Sequence, residues 1–261
     1  MRRLVLQLTE GRVADRHPLN EEASRIERLR RWARFEEAEQ RRDHAALEEA
    51  HRLYWSGPDG AAWHEAHGYR FHTWFLEQHG PLMDAVEALL RDEPRFDRLV
   101  ELGTGDARAL AHLAARLPAL RALIGVDLSQ ATIEANQARH WNTRLGFVCE
   151  DLVEYLEREA APGTVYLTNG GVFEYVARHR VERLLRAIAA RPPAALALVE
   201  PLDEDMDPDV DGRSRVIGFE HTFAHPYPAL LRRHGFRIVH RRQLRVEPWR
   251  VLEAVAVTRR R

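Results

Sequence analysis

The stretch RLVELGTGDAR, residues 98–108, decides the predicted fold of the chain. Its first residues indicate a short buried strand that runs directly into a glycine-rich turn and then into a helix from about Ala107. Gly103 and Gly105 carry no Cβ and can adopt positive φ, so the backbone of this turn can approach a ligand closely. We expect Glu101, at the carboxyl end of the strand, to point its carboxylate into the crevice where open α/β sheets bind ligands.

A glycine-rich turn between a strand and a helix has two common interpretations. A dinucleotide site requires G-x-G-x-x-G, with a third small residue at the position that Arg108 occupies in this chain. The hydride-transfer fingerprint therefore fails at its last position, and the pattern that remains is an acidic residue followed by x-Gly-x-Gly.

Two further acidic residues follow predicted strands. Asp127 ends the strand in LIGVDLS, and Glu150 and Asp151 close the strand in GFVCED. Three acidic strand ends in this order and spacing resemble the class I S-adenosylmethionine-dependent methyltransferases, over roughly the last two-thirds of the chain. The resemblance implies S-adenosylmethionine as the cofactor and methyl transfer as the activity.

The alternation of strand and helix after residue 98 predicts a parallel sheet with helices on both faces. The resemblance implies the Rossmann-like methyltransferase sheet, mostly parallel with an antiparallel last strand. We expect an N-terminal helical lid segment over 1–95 and the methyltransferase domain over 96–261. The predicted strands are 98–102, 122–127, 145–149, 164–169 and 195–200, followed by two hairpin strands in GFRIVHRRQL and WRVLEAVAV; the predicted helices are 107–116, 129–140, 152–159, 178–191 and 227–234.

The resemblance also implies roles for residues near the strand ends. Asp127 would accept hydrogen bonds from both ribose hydroxyls, and Asp151 would accept one from the adenine amino group while Leu152 packs on the ring. Ser129 is better placed than Asp127 to cap the following helix. The predicted cofactor-binding residues are Glu101, Gly103, Thr104, Gly105, Asp127, Leu128, Asp151, Leu152 and Asn169.

The acceptor side is less defined by the sequence. Asn169-Gly170-Gly171 stands where the family's exocyclic-amine enzymes carry Asn or Asp followed by Pro-Pro and an aromatic residue, which disfavours a nucleobase amine as the acceptor. A hydroxyl acceptor needs a base near its proton, and histidine is the common choice. The predicted catalytic residues are His221, His225 and Glu174, and the predicted substrate-binding residues are Tyr175, Trp63, His67 and Tyr69.

The sequence predicts helices in the N-terminal region. Residues 1–18 hold a candidate short strand, and residues 20–54 predict two helices or one long one. The aromatic-rich segment that follows is either core or a lid over the methyl-transfer crevice, and Gly80-Pro81 predicts a break before the next helix. His64, His67 and His72 would not share one helix face, so we predict no metal site.

Composition excludes several functional classes. The formal net charge is −1 and all 39 basic residues are arginine, which excludes a P-loop lysine, Schiff-base chemistry and the lysine-containing tetrad of some RNA ribose methyltransferases. Cys149 is the only cysteine, and we expect a buried structural thiol. The absence of a long apolar run predicts a cytoplasmic protein without a membrane partner; a homodimer stays open.

Two functions follow from these observations. The first is S-adenosylmethionine-dependent methyl transfer to oxygen or nitrogen of a small-molecule acceptor. The alternative is an RNA- or tRNA-directed methyltransferase, or another nucleic-acid-binding protein, that uses the arginines along 25–42. Because glutamates interleave with those arginines, a salt-bridged helix explains them better than a phosphate track, and we do not expect a nucleic-acid partner.

Overall fold

The structure is a computed structural model that describes residues 25–141, 143–218, 220–246 and 249–259, with side chains from residue 33 onward. The helices are α1 (Arg25–Gln40), α2 (His44–Ser56), α3 (Pro58–His67), α4 (Leu76–Asp92), α5 (Arg108–Arg116), α6 (Gln130–Arg139), α7 (Leu152–Glu159), α8 (Arg178–Ala189) and α9 (Tyr227–Arg233). The strands are β1 (Arg98–Leu102), β2 (Ala122–Asp127), β3 (Leu145–Cys149), β4 (Thr164–Leu167), β5 (Ala194–Leu202), β6 (Arg215–Ile217), β7 (Thr222–Ala224), β8 (Phe236–Val246) and β9 (Trp249–Thr258).

Seven strands form one mixed sheet in the order β3-β2-β1-β4-β5-β9-β8. Strands β1 to β5 are parallel, while β9 runs antiparallel to both β5 and β8. This arrangement confirms the predicted fold class, including the antiparallel strand near the end of the chain. Strands β6 and β7 form a separate two-stranded sheet that the sequence did not predict.

The residues of the central strands alternate between two apolar cores, one on each face of the sheet. Val100 and Leu102 pack with residues of α7, α8 and α9 on one face. Leu99 packs with residues of α4 and α5 on the other face. Because successive side chains of a strand point to opposite faces, helices on both sides are needed to cover it. The carboxyl ends of β1, β2 and β4 are thereby left together at one edge, where the turns that follow them can meet.

The N-terminal region contains separate helices. The first break falls at Arg42, which has a φ of 53°, and Asp43 caps α2 by accepting a hydrogen bond from the Ala46 N–H at 3.0 Å. The predicted strand within residues 1–18 lies outside the described residues. Helix α4 packs in the same core as the central strands, so the boundary at residue 95 stays a prediction.

Two local expectations were wrong. Helix α4 continues through Gly80-Pro81 instead of starting after it, because the burial of Leu82, Met83 and Val86 against the sheet stabilises the helix despite the hydrogen bond that proline cannot make. Cys149 is exposed rather than buried, because β3 is the edge strand of the sheet and is covered less completely. Within the described ranges, none of the helices is both long and apolar enough to cross a lipid bilayer.

Candidate active site

The glycine-rich turn after β1 is built from backbone conformations that favour glycine. Gly103 and Gly105 have φ values of 65° and 50°, and Ala107 has a φ of 58°. The Thr104 N–H donates to the carbonyl of Val126 at 2.9 Å, which fastens the turn to β2. A Cβ at Gly103 would approach the Val172 side chain to 2.9 Å, so a larger residue there would require a shift. The turn therefore exposes backbone without side chains at the carboxyl ends of the strands.

Asp127 holds this turn from the neighbouring strand. Its Oδ2 accepts a hydrogen bond from the Gly105 N–H, and its Oδ1 accepts one from the Ser129 N–H, both at 2.9 Å. Ser129 caps α6 by accepting from the Thr132 N–H, as predicted. Each carboxylate oxygen can accept more than one hydrogen bond, so Asp127 retains acceptor capacity for two hydroxyl groups of a ligand.

Glu101 does not occupy the predicted position at the ligand. It is fully buried, it is absent from the residues that line the cavity described below, and its Oε2 accepts a hydrogen bond from the Thr104 hydroxyl at 2.7 Å. Burial raises the pKa of Glu101 to about 8. The side chain supports the glycine turn from beneath, because the strand end turns it inward instead of toward the crevice.

Asp151 lies at the start of α7, where its Oδ1 accepts hydrogen bonds from the N–H groups of Val153 and Glu154. The same oxygen accepts a hydrogen bond from Arg180 Nη2 at 2.5 Å. The other terminal nitrogen of this arginine, Nη1, donates to the buried Glu48 of α2 at 2.9 Å. Arg180 thus links an N-terminal helix to the strand-end carboxylate. Sequence reasoning missed this residue, since arginine is too frequent in the chain to be informative.

One cavity of about 370 Å³ opens beside these carboxylates, a size in the range of small-molecule sites. The segments that follow β1, β2, β3 and β4 all contribute residues to its lining. The predicted site residues that line it are Gly103, Thr104, Gly105, Asp127, Leu128, Asp151, Leu152, Asn169, Glu174, Tyr175, Trp63 and His67. Tyr69 is 60% exposed and does not line the cavity, nor do the two predicted histidine bases.

Those histidines have structural positions. His225 is fully buried; its Nδ1 pairs with the Ser214 hydroxyl at 2.6 Å and its Nε2 with the Val176 carbonyl at 2.9 Å. Burial lowers the pKa of His225 to about 4. His221 forms a hydrogen bond through Nδ1 with the carboxylate of Glu39 in α1. Both rings fasten the segment around β7 to its neighbours, so the prediction that they act as general bases is wrong.

The N-terminal helices supply an aromatic wall to the cavity. The Trp55 ring lies 5.6 Å from Trp63 and 5.2 Å from Tyr175, measured between ring centroids. His64 of α3 lies directly over the glycine turn, since a Cβ at Gly105 would approach its ring nitrogen Nδ1 to 2.8 Å. Trp63 stacks on His67 at 4.7 Å. The aromatic-rich segment therefore forms part of the wall of the cavity, and its action as a lid stays a prediction.

A group of three glutamates also contributes to the cavity. Glu174, Glu200 and Glu220 line it. Burial raises the pKa of Glu200 and of Glu220 to about 7 each, and burial together with these two carboxylates raises the pKa of Glu174 well above its usual range. Only Glu174 was predicted. Glu200 carries the signal that identified the other strand ends, an acidic residue near the carboxyl end of a parallel strand.

His79 is a second residue that sequence reasoning missed. It lies on α4, lines the cavity and is 1% exposed. Its Nδ1 contacts Glu253 Oε1 of β9 at 2.7 Å, and Glu253 is itself fully buried. A buried carboxylate that orients a histidine ring beside a cavity is an arrangement that can accept a proton.

Comparison with known proteins agrees with this geometry. Residues 99–191 match the sequence profile of a family described as "Methyltransferase domain". This stretch of the chain is therefore similar to a methyltransferase domain. The glycine turn and the acidic strand ends lie within the matched residues. No curated protein matches the chain.

Solved structures show the same fold at low identity. The magnesium protoporphyrin IX methyltransferase of Synechocystis PCC 6803, with bound SAM, is 14% identical, with a TM-score of 0.58 over 81% of this chain and 97% of that one. The 1,6-didemethyltoxoflavin-N1-methyltransferase of Burkholderia thailandensis is 20% identical, with a TM-score of 0.50 over 77% and 89%. The cyclase SpnF is 14% identical, with a TM-score of 0.51 over 68% and 80%. These likenesses concern the fold alone.

The contact between His64 and the glycine turn gives a testable prediction. Gly105→Ala introduces two costs, a left-handed backbone for a residue with a Cβ and a clash with the His64 ring. In a His64→Ala background only the backbone cost is left. We expect Gly105→Ala to be about 1 kcal/mol less destabilising in that background, as measured by denaturant unfolding of the four proteins in a double-mutant cycle. Strictly additive effects would contradict the placement of α3 over the turn.

The three glutamates in the cavity lining predict a pH dependence of stability. A carboxyl group whose pKa is raised on folding favours the folded state below its unfolded value of about 4.5, and this contribution is lost as pH rises toward about 7. Glu220→Gln removes the ionisation. We therefore expect the variant to be more stable than the wild type at about pH 8, by up to about 3 kcal/mol, and to differ little at about pH 4.

The control is Glu157→Gln, because Glu157 is exposed and a hydrogen bond from Arg183 lowers its pKa. This variant should gain no stability at the higher pH. Chemical denaturation at the two pH values provides the measurement. An equal effect of Glu220→Gln at both pH values would show that Glu220 does not ionise within this range.

Proposed function

We propose that the chain transfers the methyl group of S-adenosylmethionine to a nitrogen or oxygen atom of a small molecule bound in the 370 Å³ cavity. The observation that carries the proposal is that one cavity is lined by the glycine turn and Asp127 as well as by Glu174 and aromatic rings. An aromatic wall around a confined cavity suits a small acceptor better than a polynucleotide, which would need an open basic groove.

The cofactor half of the cavity suits an adenosyl group. We assign the ribose hydroxyls to Asp127, whose two oxygens each retain acceptor capacity, and the adenine amino group to Asp151. Leu128 and Leu152 line the cavity beside these carboxylates and offer apolar surface to the base. Gly103 and Gly105 leave room for the rest of the molecule because neither has a side chain.

The acceptor half would act mainly by positioning. When bound, S-adenosylmethionine supplies a methyl group on a sulfonium that is already a good leaving group. The protein must then hold the acceptor in line and exclude water. Trp63, His67 and Tyr175 line the cavity and are assigned to acceptor contact, while Asn169, which also lines it, is assigned to the cofactor. Glu174, or His79 held by Glu253, would accept the proton that the acceptor loses.

We also assign the helices within 1–95 to the role of a lid. Helix α3 lies over the glycine turn, and α2 reaches the strand-end carboxylate through Glu48 and Arg180. These contacts would exclude water from the cavity when the cofactor is bound, and closing such a cover strengthens electrostatic interactions inside it.

The test of this function combines binding and turnover. Asp127→Asn replaces one acceptor oxygen by an amide group, which must then face either a backbone N–H or a ribose hydroxyl. We expect at least a tenfold loss of affinity for S-adenosylhomocysteine by calorimetry, and a matching loss of S-adenosylhomocysteine release when the protein is incubated with S-adenosylmethionine and an acceptor pool.

Asp97→Asn is the matched control, because Asp97 is an exposed partner of Arg121 outside the cavity. It should bind S-adenosylhomocysteine as the wild type does. Unchanged affinity in Asp127→Asn would remove Asp127 from the site, and a wild-type protein that releases no S-adenosylhomocysteine with any acceptor would contradict the proposed activity.

A further inference from the structure

Three carboxylates from separate parts of the chain meet in the lining of the cavity. We call Glu174, Glu200 and Glu220 the acidic wall. Glu174 lies in the 3₁₀ turn after β4, Glu200 in β5, and Glu220 just before β7. All three line the cavity, and Glu200 and Glu220 are 0% and 6% exposed. Burying several carboxylates costs free energy, so we looked for the interactions that bring these three together.

Glu200 has a structural role within the acidic wall. Its Oε1 accepts hydrogen bonds from the N–H groups of Val172 and Phe173 at 3.2 and 3.0 Å, and its Oε2 accepts one from the Glu174 N–H at 3.1 Å. The Thr168 hydroxyl donates to it at 3.1 Å. Glu200 therefore fixes the turn after β4 and, through that turn, the backbone position of Glu174.

Glu174 is placed to meet a ligand. Its carboxylate folds over Gly171, where a Cβ would collide with it, so the glycine makes room for the carboxylate beside the cavity. The Thr222 hydroxyl donates a hydrogen bond to Glu174, and the charged groups that act on it are the carboxylates of Glu200 and Glu220. The repulsion among these groups is relieved if a cation binds between them.

Of the three arginines that line the cavity, Arg70 is exposed and the other two contact other carboxylates. Arg180 contacts Glu48 and Asp151, and Arg52 contacts Glu49 at 2.7 Å. Aromatic rings line the cavity beside the acidic wall, with Tyr175 and Trp55 5.2 Å apart. Aromatic faces also attract cations. Buried carboxylates and aromatic rings around one ligand-sized cavity are thus two independent features that select for positive charge.

We propose that the acceptor is a small organic amine that binds as its ammonium ion at Glu174, within the acidic wall and against the ring of Tyr175. This inference rests on the proposed function and narrows it from nitrogen or oxygen to an aliphatic or aryl-alkyl amine nitrogen. An ammonium ion would offset the negative charge of the acidic wall, whereas a neutral hydroxyl or an anionic acceptor would not.

The chemistry balances with the groups present. The ammonium gives one proton to the Glu174 carboxylate, which restores the nitrogen lone pair. That lone pair forms the new bond to the methyl carbon, while the electrons of the broken carbon–sulfur bond stay on sulfur. The products are the N-methylated ammonium ion and S-adenosylhomocysteine, and the proton passes from Glu174 to solvent.

The experiment compares amines with matched neutral alcohols on the full chain. The pairs are benzylamine and benzyl alcohol, phenethylamine and phenethyl alcohol, tryptamine and tryptophol, and glucosamine and glucose. Each compound is titrated into the protein saturated with S-adenosylhomocysteine, with thermal stabilisation and calorimetry as the readouts. We expect at least one amine to bind at least about tenfold more tightly than its alcohol. If none of the four amines binds more tightly than its matched alcohol, the proposal is overturned.

Glu174→Gln tests the residue assignment. Glutamine matches the shape of the protonated carboxyl group, so the variant should fold, and it should lose the preference for amines. Glu174→Asp keeps the charge and should retain part of it, whereas Glu157→Gln removes an exposed charge away from the cavity and should change nothing. An undiminished amine preference in Glu174→Gln would overturn the assignment.

These experiments distinguish a failure of the amine inference from a failure of the proposed function. If S-adenosylhomocysteine binds but the amines have no advantage, the amine inference is wrong and the proposed methyl transfer stands. If the wild-type protein does not bind S-adenosylhomocysteine, the proposed function itself is wrong. Transfer of an isotopically labelled methyl group from S-adenosylmethionine to the preferred amine then identifies the methylated atom.

Discussion

The structure depends on the hydrogen bond between the Gly105 N–H and the carboxylate of Asp127. It joins the turn after β1 to the end of β2, and it forms only because Gly105 adopts a positive φ. The Thr104 N–H makes the second connection, to the carbonyl of Val126. With the turn held in this way, its backbone, the Asp127 carboxylate and His64 of α3 lie together in the lining of the cavity.

A similar set of hydrogen bonds orders the turn after β4, which carries Glu174. Glu200 of β5 binds three consecutive backbone N–H groups of the turn after β4, as Asp127 binds the turn after β1. Both carboxylates order a turn from the neighbouring strand. The difference lies in their surroundings, because Glu200 is fully buried beside Glu174 and Glu220, and burial raises the pKa of each of the three.

Local sequence patterns predicted the sheet well. Strand β2, for example, has the predicted bounds of 122–127, since apolar runs between turn residues define short buried strands. The role of Glu101 was wrong because a strand-end carboxylate can turn inward as well as outward, and the sequence does not distinguish the two. The helix break at Gly80-Pro81 was wrong because the burial of Leu82 and Met83 outweighs the local cost of proline.

The acceptor end was harder to predict because its residues come from distant segments. Glu220 lies just before β7 and His79 lies in the first turn of α4, where no local motif marks them. His221 and His225 carried the chemistry expected of a base, but both rings pack between structural elements. Only the tertiary fold determines which histidine lines the cavity, whereas Glu200 could have been found by applying the strand-end criterion to β5.

The most direct test of the central claim is a crystal structure of the chain with S-adenosylhomocysteine. The account predicts that the ribose hydroxyls lie within hydrogen-bond distance of the two Asp127 oxygens, that the adenine lies beside Asp151 and Leu152, and that the sulfur faces Glu174 across the loop at Asn169. A ligand bound elsewhere, or one whose ribose makes no contact with Asp127, would contradict it.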